Sequence, residues 1–464
     1  MSLDAVLARI DATQDAALDR LMTLLKIPSI STDEAYKSDC EAAANVLVDD
    51  LISIGFEARK CPTPGHPMVV AHGGDEQSLE DGSKRPHLLF YGHYDVQPVD
   101  PLDLWATPPF EPRLEETPQG KVIRGRGASD DKGQLMTFIE AMRAYVSVTG
   151  ALPCRITLFL EGEEESGSPS LVPFMKENAS ELTADIAMIC DTGLFQSTTP
   201  AIVTQLRGLM AEELVLKAAS KDLHSGMFGG LARNPIHVLA DILSDLHDAE
   251  GAVTLPGFYD DVPELDPALK AQWDGLNFDH AGFLAEVGLS EPAGESGRSA
   301  LEQLWSRPTA EVNGISGGYT GTGFKTVLPA EARAKVSFRL VGQQDPEKIH
   351  ASFVDFVEAR LPADVTAEFP LGHGAPAAQM ATDDPAFEAA RVALSAEWGL
   401  EAAFVGCGGS IPIAGHFQDI LGMESMLIGF AGDDDQIHSP NEKYGLTNFH
   451  KGTRSWARIL DALT

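Results

Sequence analysis

Five stretches of the chain set histidines or carboxylates where they could hold metal ions. The apolar run HLLFY (87–91) is followed by GHYDV, which puts His93 and Asp95 just past a strand end. RITLFL (155–160) leads into EGEEESGS, with Glu163, Glu164 and Glu165 at the equivalent place. DIAMIC (185–190) is followed by Asp191, and SMLIGF (425–430) by AGDDDQIHSPNE, whose loop carries His438. The fifth stretch is GRGASDDKG (125–133), where glycines permit a tight turn and Asp130 and Asp131 precede a helix at Lys132. Singly, such features are ordinary: a histidine after a strand is usually a hydrogen-bonded loop residue, and an acidic run a solvated turn. Their recurrence after four strands argues for a site, because like charges beside a buried sheet edge are costly unless neutralised. Mixed imidazole and carboxylate donors suit zinc, with manganese or cobalt as substitutes. Two histidines and three or four carboxylates exceed the needs of one tetrahedral ion. Two metals about 3.5–4 Å apart, bridged by one carboxylate and one water, would use them all.

The elements around these residues imply an α/β architecture. Residues 1–60 read as helical, notably CEAAANVLVDDLISIGF (40–56). KGQLMTFIEAMRAYVSV (132–148) and LVPFMKENA (171–179) then alternate with the apolar strands. Continuous apolar strands separated by helices predict a mostly parallel sheet covered by helices on both faces. In such sheets ligands bind outside the carboxyl ends of the strands, where these acids and histidines fall. The pattern changes near 206: VTQLRGLMAEELVLKAA (203–219) and AKVSFRLV (334–341) show strand-like alternation, with NPIHVLADILSDLHDA (234–249) as a helix between them. From about 376 the α/β character returns. The division expected is a first domain of 1–206 and 376–464, interrupted by a smaller α+β domain at 207–375.

Composition narrows the function classes. A length of 464 residues exceeds what one hydrophobic core comfortably serves. The formal net charge of −35 repels phosphate backbones and anionic lipid surfaces, so neither nucleic acid nor a membrane is an expected partner. Asp4, Asp11 and Asp15 stand where a secretory leader would need a basic start and an apolar core, so a cytoplasmic location is expected. Cys40, Cys61, Cys154, Cys190 and Cys407 are odd in number and lack paired CxxC spacing, which argues against a disulfide framework and a cysteine zinc site.

GHYDVQP, GRGASDDKG, LEGEEESGS, CDTG, DLHSGMFGG, FRLV, GGSIP and DDDQIHSPNE together resemble the two-zinc exopeptidase and amidohydrolase superfamily. That superfamily includes aminoacylases, glutamate carboxypeptidase and carnosinase-type dipeptidases, and the wording is most similar to the cytosolic nonspecific dipeptidase branch. The resemblance implies that Asp130 bridges two divalent metal ions, with His93 and Asp191 on one, and Glu165 and His438 on the other. It implies Glu164 as general base, Asp95 as the partner that orients the His93 imidazole, and a cis peptide between Asp130 and Asp131. Glu163 is read as an extra, solvated carboxylate, and Asp131 as packing or hydrogen bonding nearby. In the inserted domain the resemblance implies that His224 reaches the active site of a second subunit and stabilises the developing oxyanion. The inserted domain would thus serve as lid and homodimer contact. Arg339 resembles a clamp for the substrate carboxylate, and Thr326, His373 and Ser410 resemble further substrate contacts. Cys407, ahead of the glycines in GCGGS, departs from the related dipeptidases.

The expected reaction is hydrolysis of the amide bond of dipeptides or very short peptides. The alternative on the same metal chemistry is deacylation or desuccinylation of N-acyl amino acids. A non-catalytic binding relative is the third reading, and it should lack a ligand or the base; here all are present.

Overall fold

The computed structural model describes residues 2–75, 84–380, 382–409 and 411–464. Ser410 therefore lies outside the described residues. The chain divides into two compact units: the first comprises Met1–Thr204, Met380–Val405 and His416–Thr464, the second Gln205–Gln379 and Gly406–Gly415. The edges at 204/205 and 379/380 stand a few residues from those read in the sequence. Segment 406–415, read there with the first domain, groups with the second unit.

The first unit is built on a sheet whose centre is parallel. Ile156–Glu161, Leu88–His93, Ile186–Ile189 and Glu424–Leu427 lie side by side in that order and run in one direction. Antiparallel strands flank them, Met68–Gly73 beside Ile156–Glu161 and Ala201–Leu206 beside Glu424–Leu427. The central strands are mostly apolar and almost wholly buried because both faces are covered. Phe90 stacks on Phe138 of the helix Lys132–Thr149 and meets Trp456 of the helix Leu446–Leu463 edge-on. Its neighbour Tyr91 points to the other face, against Phe159 and Phe417. The register pairs Tyr91 with Ile189 and His93 with Glu161, so the carboxyl ends of neighbouring strands are level.

The second unit carries an antiparallel sheet in the order Thr309–Gly317, Glu331–Leu340, Gly208–Lys217, with Thr366–Glu368 and His373–Ala375 both pairing the last. The stretch 203–219, read as one strand-like segment, is two strands that break at Arg207. One face is buried by the helices Pro235–Ser244 and Pro346–Glu358, which pack Val238, Leu239, Phe353 and Val357 against Leu214, Leu216, Val336 and Phe338. Both helices start at a proline preceded by a capping side chain, Asn234 and Asp345, whose carbonyl or carboxylate oxygens accept from Ile236 N and Glu347 N. Short helices at Pro267–Gly275, His280–Glu286 and Ala300–Trp305 were not read in the sequence.

Candidate metal centre

The carboxyl ends of the parallel strands gather the expected side chains into one cluster. His93 ends its strand and is fully buried; its Nε2 lies 3.2 Å from Asp130 Oδ1 and 4.0 Å from Asp191 Oδ2. His438 Nε2 lies 2.8 Å from the other oxygen of Asp130 and 3.2 Å from Glu165 Oε2. Two groups of donors, His93–Asp130–Asp191 and Asp130–Glu165–His438, thus share Asp130, and within each group the donor atoms lie within 4.8 Å of one another.

Surrounding contacts fix these donors. His93 Nδ1 is 3.2 Å from the Asp95 carbonyl and 3.4 Å from Asp95 Oδ1, which leaves Nε2 facing the cluster. Asp95 Oδ2 also accepts from Glu165 N at 3.0 Å, so one buried carboxylate ties two of the loops together. Gln97 Nε2 donates to Glu165 Oε2 at 2.6 Å. The peptide between Asp130 and Asp131 is cis, as the resemblance implied, and Asp131 Oδ2 accepts from His93 N at 3.1 Å.

Electrostatically the site is short of positive charge. Burial, and then the charges of Asp130, Glu164 and Glu165, push Asp191 well above the usual carboxylate range. Burial likewise raises Glu165 and Glu164, with Asp130 adding to both. Asp130 alone is held low, because hydrogen bonds from His438 and His93 outweigh its burial. Hydrogen bonds to Asp130 and Glu165 in turn raise His438 to about 10. Glu165 Oε1 is buried without a hydrogen-bond partner among the described residues. An anionic cluster that pulls protons onto its histidines, and leaves a carboxylate oxygen unpaired, has the donor set and charge deficit that divalent cations would fill.

Several supporting residues carried no signal that sequence reasoning caught. Glu442, fully buried, accepts from Gly127 N, Ser129 N and Asp130 N at 2.9–3.0 Å and from Arg126 Nη1 at 2.8 Å. It therefore holds the whole turn that presents Asp130. Ser129 Oγ donates to Asp435 Oδ2 at 2.9 Å, a second tie between that turn and the loop of His438. Glu163 corrects the sequence reading. Only 2% exposed, it accepts from His66 N at 2.7 Å and Ser170 N at 2.9 Å, so it is a buried brace rather than a solvated acid. A Cβ on Gly65 would come 1.5 Å from its Oε1, which accounts for a glycine there.

The remaining expected residues belong to the second unit. His224 is exposed, its Nδ1 accepting from Gly226 N at 3.0 Å, and it pairs across a two-strand ladder with Val327. Thr326, also exposed, accepts from Ser225 N through its carbonyl at 3.0 Å, so it stands beside His224. Arg339 and His373 flank the strand Gly208–Lys217 from opposite sides, opposite Leu209 and Ala211. Two residues apart in register, they share the face turned away from the core that holds Met210 and Phe338.

Comparison with known proteins agrees with this geometry. Residues 89–462 match the family model described as Peptidase family M20/M25/M40. The Cys-Gly metallodipeptidase dug1 of Schizosaccharomyces pombe is 30% identical, over 100% of this chain and 98% of its own. The solved structure of the di-peptidase Dug1p from Saccharomyces cerevisiae superposes with a TM-score of 0.77 at 29% identity, covering 100% of this chain and 98% of that one. The M20 family metallo-carboxypeptidase Sso-CP2 from Sulfolobus solfataricus gives a TM-score of 0.79 at 32% identity, over 96% and 99% of the two chains. With the model match running from the strand of His93 to the last helix, the chain belongs to Peptidase family M20/M25/M40.

Proposed function

We propose that the chain is a dinuclear metallodipeptidase that hydrolyses the amide bond of dipeptides or very short peptides. The observation that carries the reading is the pair of donor groups sharing Asp130, with Glu164 beside them and its side-chain carboxylate without a hydrogen bond among the described residues. His93 and Asp191 would hold one divalent ion, Glu165 and His438 the other, and Asp130 both; zinc fits the donors best, with manganese or cobalt as substitutes. Bound there, the ions supply Lewis acidity and lower the pKa of water towards neutrality.

The chain's own groups do the rest. Asp95 fixes the His93 imidazole so that Nε2 is the free donor. Glu164, whose burial raises its proton affinity, takes a proton from the attacking water and returns it to the leaving amine. His224 hydrogen-bonds the oxyanion that develops on the scissile carbonyl, reaching it from a second copy of the chain. Arg339 receives the terminal carboxylate with its planar guanidinium, which restricts cleavage to chain ends, and Thr326, His373 and Ser410 contact the substrate around it.

A homodimer formed through the second unit suits its surface. Met227, Phe228, Leu231 and Phe324 are exposed large apolar side chains, and the edge strand Thr309–Gly317 leaves Ile315 65% exposed. Cys40, Cys61, Cys154, Cys190 and Cys407 form no disulfide, which suits a cytoplasmic setting. No helix among the described residues is long and apolar enough to cross a membrane.

The test is cleavage of a panel of dipeptides, tripeptides and N-acyl amino acids, followed by mass spectrometry. The protein is assayed as purified, after chelation, and after return of zinc or manganese. Dipeptide loss that vanishes on chelation and returns with metal is expected. Cleavage of the acyl compounds alone would overturn the substrate assignment and leave the metal centre standing.

A further inference from the structure

Along the strand Gly208–Lys217 the even-numbered residues Met210, Leu214 and Leu216 point into the core of the second unit. Glu212 falls on the same inward face, opposite Val336, and its side chain is fully buried. A carboxylate in such a core is costly unless its oxygens are bonded. Oε2 meets His350 Nε2, on the helix Pro346–Glu358, at 2.8 Å. Oε1 accepts from Glu213 N at 2.7 Å and from Leu371 N at 2.9 Å.

Leu371 lies where the edge of the sheet changes register. Thr366–Glu368 pairs with residues 215–217, and His373–Ala375 pairs with 209–211. Four residues, 369–372, thus stand against three, 212–214, which makes a bulge of one residue. A shift of one residue exchanges the faces of the side chains beyond it. Continued unchanged, the first register would set His373 opposite Met210, toward the core. With the bulge, His373 stands opposite Ala211, on the outward face that also carries Arg339.

The buried pair holds this bulge from beneath. Pro370 has no N–H to offer the ladder, and Leu371 gives its own to Glu212. Gly372 has a φ of +52°, and a Cβ there would stand 3.0 Å from His350 Nε2 and 3.4 Å from Glu212 Oε2. Phe369 closes the other end, edge-on to His350 and Phe353.

We propose that Glu212, paired with His350, is a positioning residue for His373: its carboxylate pins the bulge that turns this imidazole onto the face of Arg339. The inference rests on the reading of His373 as a substrate contact and adds to it a residue buried in the core of the second unit.

Glu212→Leu keeps the core apolar and removes the acceptor. Hydrogen exchange on the full chain, read by mass spectrometry, should then speed up at residues 369–375 and stay unchanged in the strand Glu331–Leu340. With metal restored, Glu212→Leu should raise KM for dipeptides by about tenfold while kcat and metal content hold. Glu212→Gln, which keeps an acceptor for Leu371 N, should stay within about twofold of the parent, and a loss equal to that of Glu212→Leu would overturn the hydrogen-bonded tie. In a His373→Ala background Glu212→Leu should raise KM no further, because the residue it positions is gone. Additive effects would overturn the proposal, as would unchanged exchange at 369–375. Should Glu212→Leu not fold, Gly372→Ala strains the bulge from its exposed side and carries the same expectations for exchange, KM and the double variant. If dipeptides are cleaved but His373→Ala leaves KM where it was, the positioning role fails and the dipeptidase reading stands. If the parent cleaves no dipeptide, that reading fails, and the exchange rates alone decide whether Glu212 pins the bulge.

Discussion

The two units treat their functional side chains in opposite ways. In the first, His93, Asp95, Asp130 and Asp131 are buried, and backbone N–H groups or a second side chain grip most of them. Asp191, Glu164 and Glu165 are half-buried, and His438 stands furthest in the open, with 54% of its side chain exposed. In the second, His224, Thr326 and His373 are exposed, and their order comes from short strand pairings. A metal site needs donors preset to a fraction of an ångström, so rigidity there is functional. Recognition residues can instead be completed by what they meet, a substrate or another copy of the chain. Damage to the first unit should therefore erase chemistry outright, and damage to the second should tune it.

The largest effects belong to the metal centre. Chelation should abolish turnover, and Glu164→Ala should lower kcat by about 10²–10⁴-fold while metal content by elemental analysis is retained. Loss of metal from Glu164→Ala would instead exchange the roles of Glu164 and Glu165. Next comes Glu442, which touches no expected ligand except through the backbone. Glu442→Gln leaves Arg126 buried without its partner and turns an amide toward three N–H groups, so it should cost about 3–5 kcal/mol in denaturant unfolding. Metal affinity should fall with it, because the turn that presents Asp130 loosens. A fully stable variant with unchanged metal content would show that the turn holds itself.

The second unit supplies the intermediate case. His224→Ala should reduce kcat by about 10²–10³-fold, the usual weight of one oxyanion donor, without changing metal content or melting temperature. Mixing it with Glu164→Ala should restore part of the activity, since a mixed dimer regains one intact site if His224 acts across the interface. No rescue, with subunit exchange verified, sinks the cross-dimer role.

What was legible in the sequence follows the same division. His93, Glu165, Asp191 and His438 were visible because each trails an apolar run, and Asp130 because glycines mark its turn. Those are local signals, and the sheet converts them into proximity. Glu163 was misread because an acidic triplet does not reveal which member turns inward; its partners, His66 and Ser170, lie on both sides of it in sequence and bond through backbone N–H. Glu442 was invisible for a related reason, since it caps backbone more than 300 positions away. The helices between Pro267 and Trp305 are short and mostly exposed, so they offer little apolar periodicity to read.

Smaller effects separate braces from contacts. Glu163→Gln keeps one oxygen but presents an NH₂ to His66 N or Ser170 N, and should cost about 1–3 kcal/mol of stability in the first unit. Thr326 lies at the other extreme. Its carbonyl, not its hydroxyl, accepts from Ser225, so Thr326→Ala keeps the bond that orders the His224 loop. Stability should then change by less than about 0.5 kcal/mol. If the hydroxyl contacts substrate, KM rises several-fold with kcat nearly unchanged, the pattern of a contact made equally in the ground and transition states. A fall in kcat alone would place Thr326 with His224 at the oxyanion, and the loop pair would then act together in the chemistry rather than divide it between a donor and a contact.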